Sequence, residues 1–340
     1  MLTQKFAEEV LEIYQNQPVS HQKKYQIGPL NIEVIFCRLG HTDHFTKAIA
    51  HLEVRELDSI DLTIYVADQA HSGLKLPQPT WDWSETRDNG YIPTFDDTNT
   101  VANFTQFSNT FYLLDRTNQR AFYWTRDVKE LPEWERSFPF RYILSHFCRT
   151  QSHLLLLHAG AVGTTKGGVL LTGKGGSGKS TAALSCLESE LLYAGDDMML
   201  VDTEKNMIYS LYNVAKLEAH QLKLFPHFEP LVYNPAAMPA EKAQFFVFDH
   251  LPKTLIRQMT LKAIILPKFS GQTDTEWTVD TAAEALRALA PSTIGLFQED
   301  EQYLNKLAIL CRQVPIFRLA TGTDLAQIPE KIAEILAIFS

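Results

Sequence analysis

The sequence predicts an α/β protein in two parts: a mostly β domain over residues 1–130, then a domain of strands and helices built around a glycine-rich loop over residues 131–340. Three observations carry this. Short apolar runs alternate with helix-forming runs after residue 140, which implies a largely parallel or mixed sheet covered by helices. A glycine-rich segment sits between one such strand and one such helix. The texture of the chain also changes near Leu131–Glu135, from aromatic, Thr, Asp and Asn-rich text to the alternating pattern. With 340 residues and 45% hydrophobic content, two cored domains are the natural expectation.

In the first part, Lys5–Tyr14 has amphipathic helix spacing. Leu30–Phe36, Leu62–Val66 and Phe111–Leu114 read as strands, and Asp115–Arg120 as the polar loop of a hairpin returning through Ala121–Thr125. Gln78–Asn99 carries Pro, Asn-Gly and Asp-Asp punctuation and reads as a long surface loop. In the second part a helix is expected across Phe140–Cys148. Strands are expected at Leu154–Leu157, Gly168–Leu171, Leu191–Ala194, Met198–Val201, Phe245–Phe248, Leu261–Leu266 and Ile316–Leu319. Helices are expected at Ser180–Glu190, Ala282–Ala290, Asp300–Arg312 and Ile328–Phe339.

Composition excludes several functions. The net charge of −9 gives no long-range attraction for nucleic acid or an anionic membrane. No window reaches the roughly 18 apolar residues of a membrane span, and the first residues lack an apolar stretch of signal-peptide length. Cys37, Cys148, Cys186 and Cys311 are too far apart in sequence for a C-x-x-C site and suit reduced core thiols. The expected location is the cytoplasm, with no nucleic-acid or membrane partner; a homo-oligomer stays open.

Gly173-Lys174-Gly175-Gly176-Ser177-Gly178-Lys179-Ser180 fits G-x-x-x-x-G-K-[ST] at each fixed position. Glycines let backbone N–H groups turn toward phosphate oxygens, and the following helix presents its unpaired N–H groups and positive dipole end to the same anion. Lys179 supplies a charge for the terminal phosphates. Ser180 supplies a hydroxyl for Mg²⁺, and Thr181 lies beside it, near the α-phosphate. The expected ligands are a nucleoside triphosphate, ATP, with Mg²⁺.

Such a site needs a carboxylate for the metal and a group to receive a proton. Asp196-Asp197 follow an apolar run and Gly195, 17 positions after Lys179, a length for one helix out and one strand back. Asp202 and Asp249 also end apolar runs, but each reads better as a turn residue. His158 ends the strand just before the one feeding the loop, so it is expected to face the same crevice.

Leu157-His158-Ala159-Gly160-Ala161-Val162, then Gly173–Thr181, then Ala194-Gly195-Asp196-Asp197, resembles HPr kinase/phosphorylase and the related ATP-dependent phosphoenolpyruvate carboxykinases. The segments from Tyr209 to Leu217, Ala290 to Thr293 and Val314 to Leu319 are similar to HPr kinase-like serine kinases. The resemblance covers residues ~140–340. It implies a kinase domain of HPr kinase/phosphoenolpyruvate carboxykinase type that transfers the γ-phosphoryl group to a hydroxyl, most readily a serine, of a peptide, protein or small molecule. It implies Asp196 as the base, Asp197 with Ser180 on the metal, and His158 and Lys179 at the transferring group. No counterpart of the Arg-Gly segment of HPr kinase/phosphorylase follows the acid pair, so neither phosphorylase activity nor HPr as acceptor is carried over. Lys216, Arg257 and Arg318 are further cations to weigh. The segment Lys174–Ser180 also resembles the two-lysine loop of partition-type ATPases, which place their acid in a different context; a nucleotide-gated binding module is the other alternative.

Overall fold

The computed structural model describes residues 2–40, 42–77, 81–87, 90–97, 99–297 and 301–339. It shows a mixed α/β protein with two large mixed sheets, one in each of two compact units, Met1–Thr150 and Gln151–Ser340.

The first unit contains α1 (Leu2–Gln15), β1 (Val19–Ile27), β2 (Leu30–Cys37), α2 (Asp43–Thr46), β3 (Glu53–Val54), β4 (Leu62–Asp68) and α3 (Gln69–Ser72). It continues with β5 (Thr100–Thr105), β6 (Thr110–Asp115), β7 (Arg120–Thr125), α4 (Glu133–Ser137) and α5 (Arg141–Arg149). The sheet order is β3-β1-β2-β4-β7-β6-β5. β4 runs parallel to β2 and β7, and the other pairs are antiparallel. Phe6, Val10, Leu11 and Tyr14 recur at helical spacing on α1 and bury against Phe111, Leu113, Phe122 and Trp124. The expected hairpin forms between β6 and β7, its turn held by the Asn118 amide donating to Asp115 at 3.0 Å.

Two expectations here change. The Gln78–Asn99 segment, of which 78–80, 88–89 and 98 lie outside the described residues, is not wholly a surface loop: Trp81, Ile92 and Phe95 are buried in the core beside Phe6. The chain also divides after Thr150, further on than Leu131–Glu135. The reason is a buried polar network in which Tyr112 of β6 donates to Glu135 of α4 and Arg141 of α5 lies 3.4 Å from the same carboxylate. Removing those helices would leave the buried Tyr112 and Tyr123 hydroxyls of the sheet without that carboxylate.

The second unit contains β8 (Leu154–Leu157), β9 (Gly160–Thr164), β10 (Gly167–Leu171), α6 (Lys179–Cys186), β11 (Leu192–Gly195), β12 (Met199–Asp202), β13 (Met207–Ser210), β14 (Val214–Leu217) and β15 (Ala243–Phe246). It closes with α7 (Val247–His250), β16 (Gln258–Phe269), β17 (Glu276–Asp280), α8 (Ala282–Phe297), α9 (Glu301–Gln313), β18 (Ile316–Thr321) and α10 (Gln327–Ala337). Nine strands form one sheet, ordered β11-β9-β10-β16-β13-β12-β8, with β18 on β16 and β17 on β18; β14 and β15 pair separately. β16 is parallel to β10 and β18, and every other pairing is antiparallel.

Both faces of the sheet are covered, and the strands alternate between two cores. Val169, Leu171, Ala263, Ile265 and Leu319 join α6 and α10 on one face. Leu170, Ile264 and Leu266 join α8 and α9 on the other. Three strand and helix bounds differ from expectation. α6 stops at Cys186, where the Ser189 hydroxyl caps the Cys186 carbonyl at 2.8 Å. Phe245–Phe248 is not one strand, because Val247 begins the short α7. α8 runs on through Pro291 to Phe297, while Asp300 lies outside the described residues. Among the described residues, no helix is long and apolar enough to cross a membrane.

Topology explains how the site is assembled. β8 and β9 stand at nearly opposite ends of the strand order, yet only His158 and Ala159 connect them. Two residues span under roughly 10 Å. The sheet must therefore curl until the end of β8 meets the start of β9. The long β16 makes the curl by pairing with β13 through its first residues and with β10 and β18 through its last.

Candidate active site

The phosphate loop joins β10 to α6. Gly176 and Gly178 take φ values of +76° and +98°, a region that suits glycine and turns successive amides the same way. Gly173 is required for a different reason: a Cβ there would lie 2.5 Å from the Ser177 hydroxyl. Gly175 borders open space. Lys179 is 7% exposed and donates to the carbonyls of Gly173 at 2.6 Å and Lys174 at 3.3 Å. Burial lowers the pKa of its ammonium, and the charges of Asp196 and Asp197 oppose that fall. Ser180 and Thr181 follow in the first turn of α6.

Asp196 and Asp197 directly follow β11, which pairs with β9. Gly160 opens β9 without a side chain, and a Cβ there would approach the Asp196 carbonyl to 3.3 Å. The curl of the sheet brings His158 to the same place, with its amide donating to Thr293 Oγ1 at 3.3 Å. His158 Nε2 lies 2.6 Å from Asp197 Oδ1, and Lys216 Nζ of β14 lies 3.6 Å from Asp197 Oδ2. The Lys216 amide donates to Asp196 Oδ2 at 3.1 Å.

The two acids differ sharply. Asp196 is 2% exposed, and its Oδ1 is buried without a hydrogen-bond partner. Burial first, then the charge of Asp197, push its pKa up to about 6; the Lys216 amide and the nearby Ser180 hydroxyl pull the other way. Asp197 keeps 27% of its side chain exposed. Burial acts against its ionisation, but the His158 hydrogen bond and the charges of Lys216, His158 and Lys242 outweigh it and hold the carboxyl below the usual range.

The structure thus brings the loop residues Gly173–Thr181, His158, Asp196 and Asp197 together. Lys216, one of the cations weighed from sequence, joins them as a buried residue, 7% exposed. Lys242, whose charge acts on Lys179 and both acids, was not anticipated and carries no sequence signal. Asp202 is instead a turn residue, accepting from the amides of Glu204 at 3.0 Å and Lys205 at 2.8 Å. Arg318 pairs with Asp280 at 2.6 Å, and Asp249 lies on α7.

A buried carboxylate oxygen lacking a donor, beside a serine hydroxyl, is a hard-oxygen pair suited to Mg²⁺. Among the described residues no group of three or more His, Cys, Asp or Glu could hold a metal by itself. A cation that leans on phosphate oxygens and water needs no such cage.

No family model matches the chain, and no curated protein matches it. Among solved structures, the chain is similar to the Hpr(Ser) kinase/phosphatase from Coxiella burnetii, at 12% identity and a TM-score of 0.31, over 54% of this chain and 98% of that one.

Proposed function

We propose that the chain is an ATP-dependent kinase that transfers the γ-phosphoryl group to a hydroxyl of a peptide, protein or small molecule, a serine foremost. The observation that carries this is the part-exposed Asp197, held by His158 at 2.6 Å and Lys216 at 3.6 Å, within electrostatic reach of the loop lysine. A phosphate cradle alone would support binding; an oriented, accessible carboxylate beside it supports transfer.

In this reading Gly173–Gly178 and Lys179 bind the phosphates. Ser180 and Asp196 hold Mg²⁺, which when bound neutralises charge on the phosphate oxygens. The acceptor oxygen bonds to the γ-phosphorus, the bond to the bridging oxygen breaks, and ADP leaves. Asp197 takes the hydroxyl proton. His158 fixes the carboxylate's orientation; with Asp197 ionised, its Nε2 carries the hydrogen of their bond. This exchanges the roles that the resemblance gives the two acids. Burial supports the exchange, because a 2% exposed Asp196 cannot meet an incoming hydroxyl as a 27% exposed Asp197 can.

The test incubates the protein with γ-labelled ATP, Mg²⁺ and serine-containing peptides or free serine, with mass spectrometry to find the phosphorylated product. Asp197→Asn is expected to slow transfer by about 10²-fold or more while ATP affinity stays similar. Asp196→Asn is expected to lose the Mg²⁺ dependence of nucleotide binding. Near-native transfer by Asp197→Asn would refute the proton-acceptor role. Steady ATP hydrolysis with no labelled hydroxyl would favour a switch ATPase.

A further inference from the structure

A recess of about 330 Å³ lies against the phosphate loop. Its wall includes Gly176, Gly178 and Thr181 of the loop and first helical turn, then Leu224, Phe269 and Thr321. Neither acid, nor His158, nor Lys216 lines it. The volume falls in the range of roughly 300–1,000 Å³ that holds small organic ligands.

Two of its side chains are conspicuous. Phe269 ends β16 and is 60% exposed, and Leu224 ends a short 3-10 helix and is also exposed. An exposed Phe or Leu alone needs no explanation. Two of them facing one recess, beside a loop built for phosphate, form a surface that a flat apolar group would cover. The recess is continuous with Gly178 and Thr181, and Asp197 does not line it. A triphosphate whose terminal phosphorus faces Asp197 would therefore direct its α-phosphate and ribose toward this recess.

We infer that this recess is the nucleoside subsite, with the base stacked on Phe269 and packed against Leu224; this rests on the loop binding a nucleoside triphosphate, as proposed above. Stacking on an aromatic face accepts any base, so the site would select for the presence of a base more than for its identity. Gly178 contributes by what it lacks: a Cβ there would stand in the open recess, 4.0 Å from Thr321 Oγ1.

The experiment is calorimetric titration of the full chain in Mg²⁺ with two ligands, ATP and inorganic tripolyphosphate, which offers phosphates without a nucleoside. Phe269→Ala should weaken ATP by about tenfold or more, the loss of one base–aromatic stack, and leave tripolyphosphate within about twofold. Phe269→Tyr should restore ATP binding. Lys179→Ala should weaken both ligands. Unchanged ATP affinity in Phe269→Ala, or an equal loss for both ligands, overturns the nucleoside subsite while leaving the phosphate loop intact as a reading. If Phe269→Ala lowers only transfer to the acceptor, the recess belongs to the acceptor and the inference is likewise overturned. A wild-type chain that binds neither ligand would sink the kinase reading itself.

Discussion

Asp196 and Asp197 are consecutive residues whose surroundings drive their protons in opposite directions. Burial raises Asp196 to about 6 because one backbone amide and a nearby serine are too little to replace water, while His158 and two lysines hold Asp197 ionised. A carboxyl whose pKa is raised by folding contributes stability that is fully present below the unfolded value near 3.8 and is lost as pH rises through about 6. Without metal, an ionised Asp196 is thus a liability above that pH. Asp196→Asn should therefore leave stability near that of the parent at about pH 3.5 but raise it by roughly 1–3 kcal/mol at pH 7.5. Thermal or urea unfolding in chelator at the two pH values checks this. An equal destabilisation at both would mean that the carboxyl acts as a hydrogen-bond acceptor needed by the fold. The acid pair and His158 were legible as a motif. Their division of labour was not, because it depends on which side chain the strand end turns inward. Lys216 was legible only as a cation; its burial depends on β14, which no apolar run announced.

At the scale of elements, the sheet depends on strands that look poor on paper. β9 reads Gly-Ala-Val-Gly-Thr, without the bulky β-branched run that marks a strand, yet it pairs with both β10 and β11. Its glycines are there because neighbours come close: a Cβ on Gly163 would stand 2.3 Å from the Gly168 Cα. That contact is with backbone, so no side chain can swing away. Gly163→Ala should destabilise the second unit by at least about 2 kcal/mol in urea unfolding, whereas Gly175→Ala, which faces open space, should stay within about 0.5 kcal/mol. A Gly163→Ala variant as stable as the parent would mean that β9 and β10 can separate without penalty, and that the curl carrying His158 to the acids is not held there. The same physics explains what the sequence left unread. β10 and the middle of β16 are buried residue after residue, and with β18 they announce themselves as apolar runs. β1, with its polar Val-Ser-His-Gln-Lys-Lys start, and the largely exposed β17 form through backbone pairing that side-chain pattern does not reveal.

For the whole molecule, each unit has its own apolar core and its own sheet, and every residue of the candidate site lies in the second. The texture of the sequence changes near residue 131, whereas the two compact units divide after Thr150, with the Glu135–Arg141 network binding the intervening helices to the first sheet. That is a long-range tie between β6 and two helices, and no local signal encodes it. Separate cores make a prediction about where ligand energy goes. Magnesium and ATP at about 100 times the dissociation constant should stabilise the unit that binds them by about 2.7 kcal/mol. Hydrogen exchange on the full chain should then show amides of β10 and β16 slowed by up to about a hundredfold where they exchange through unfolding of that unit, with amides of β6 and β7 unchanged. Equal slowing in both sheets would show that the units unfold together, so that the first unit reads nucleotide occupancy through stability rather than contact. No slowing anywhere would remove the nucleotide, and with it the reason for placing a curled sheet, a glycine turn and two acids in one corner of the fold.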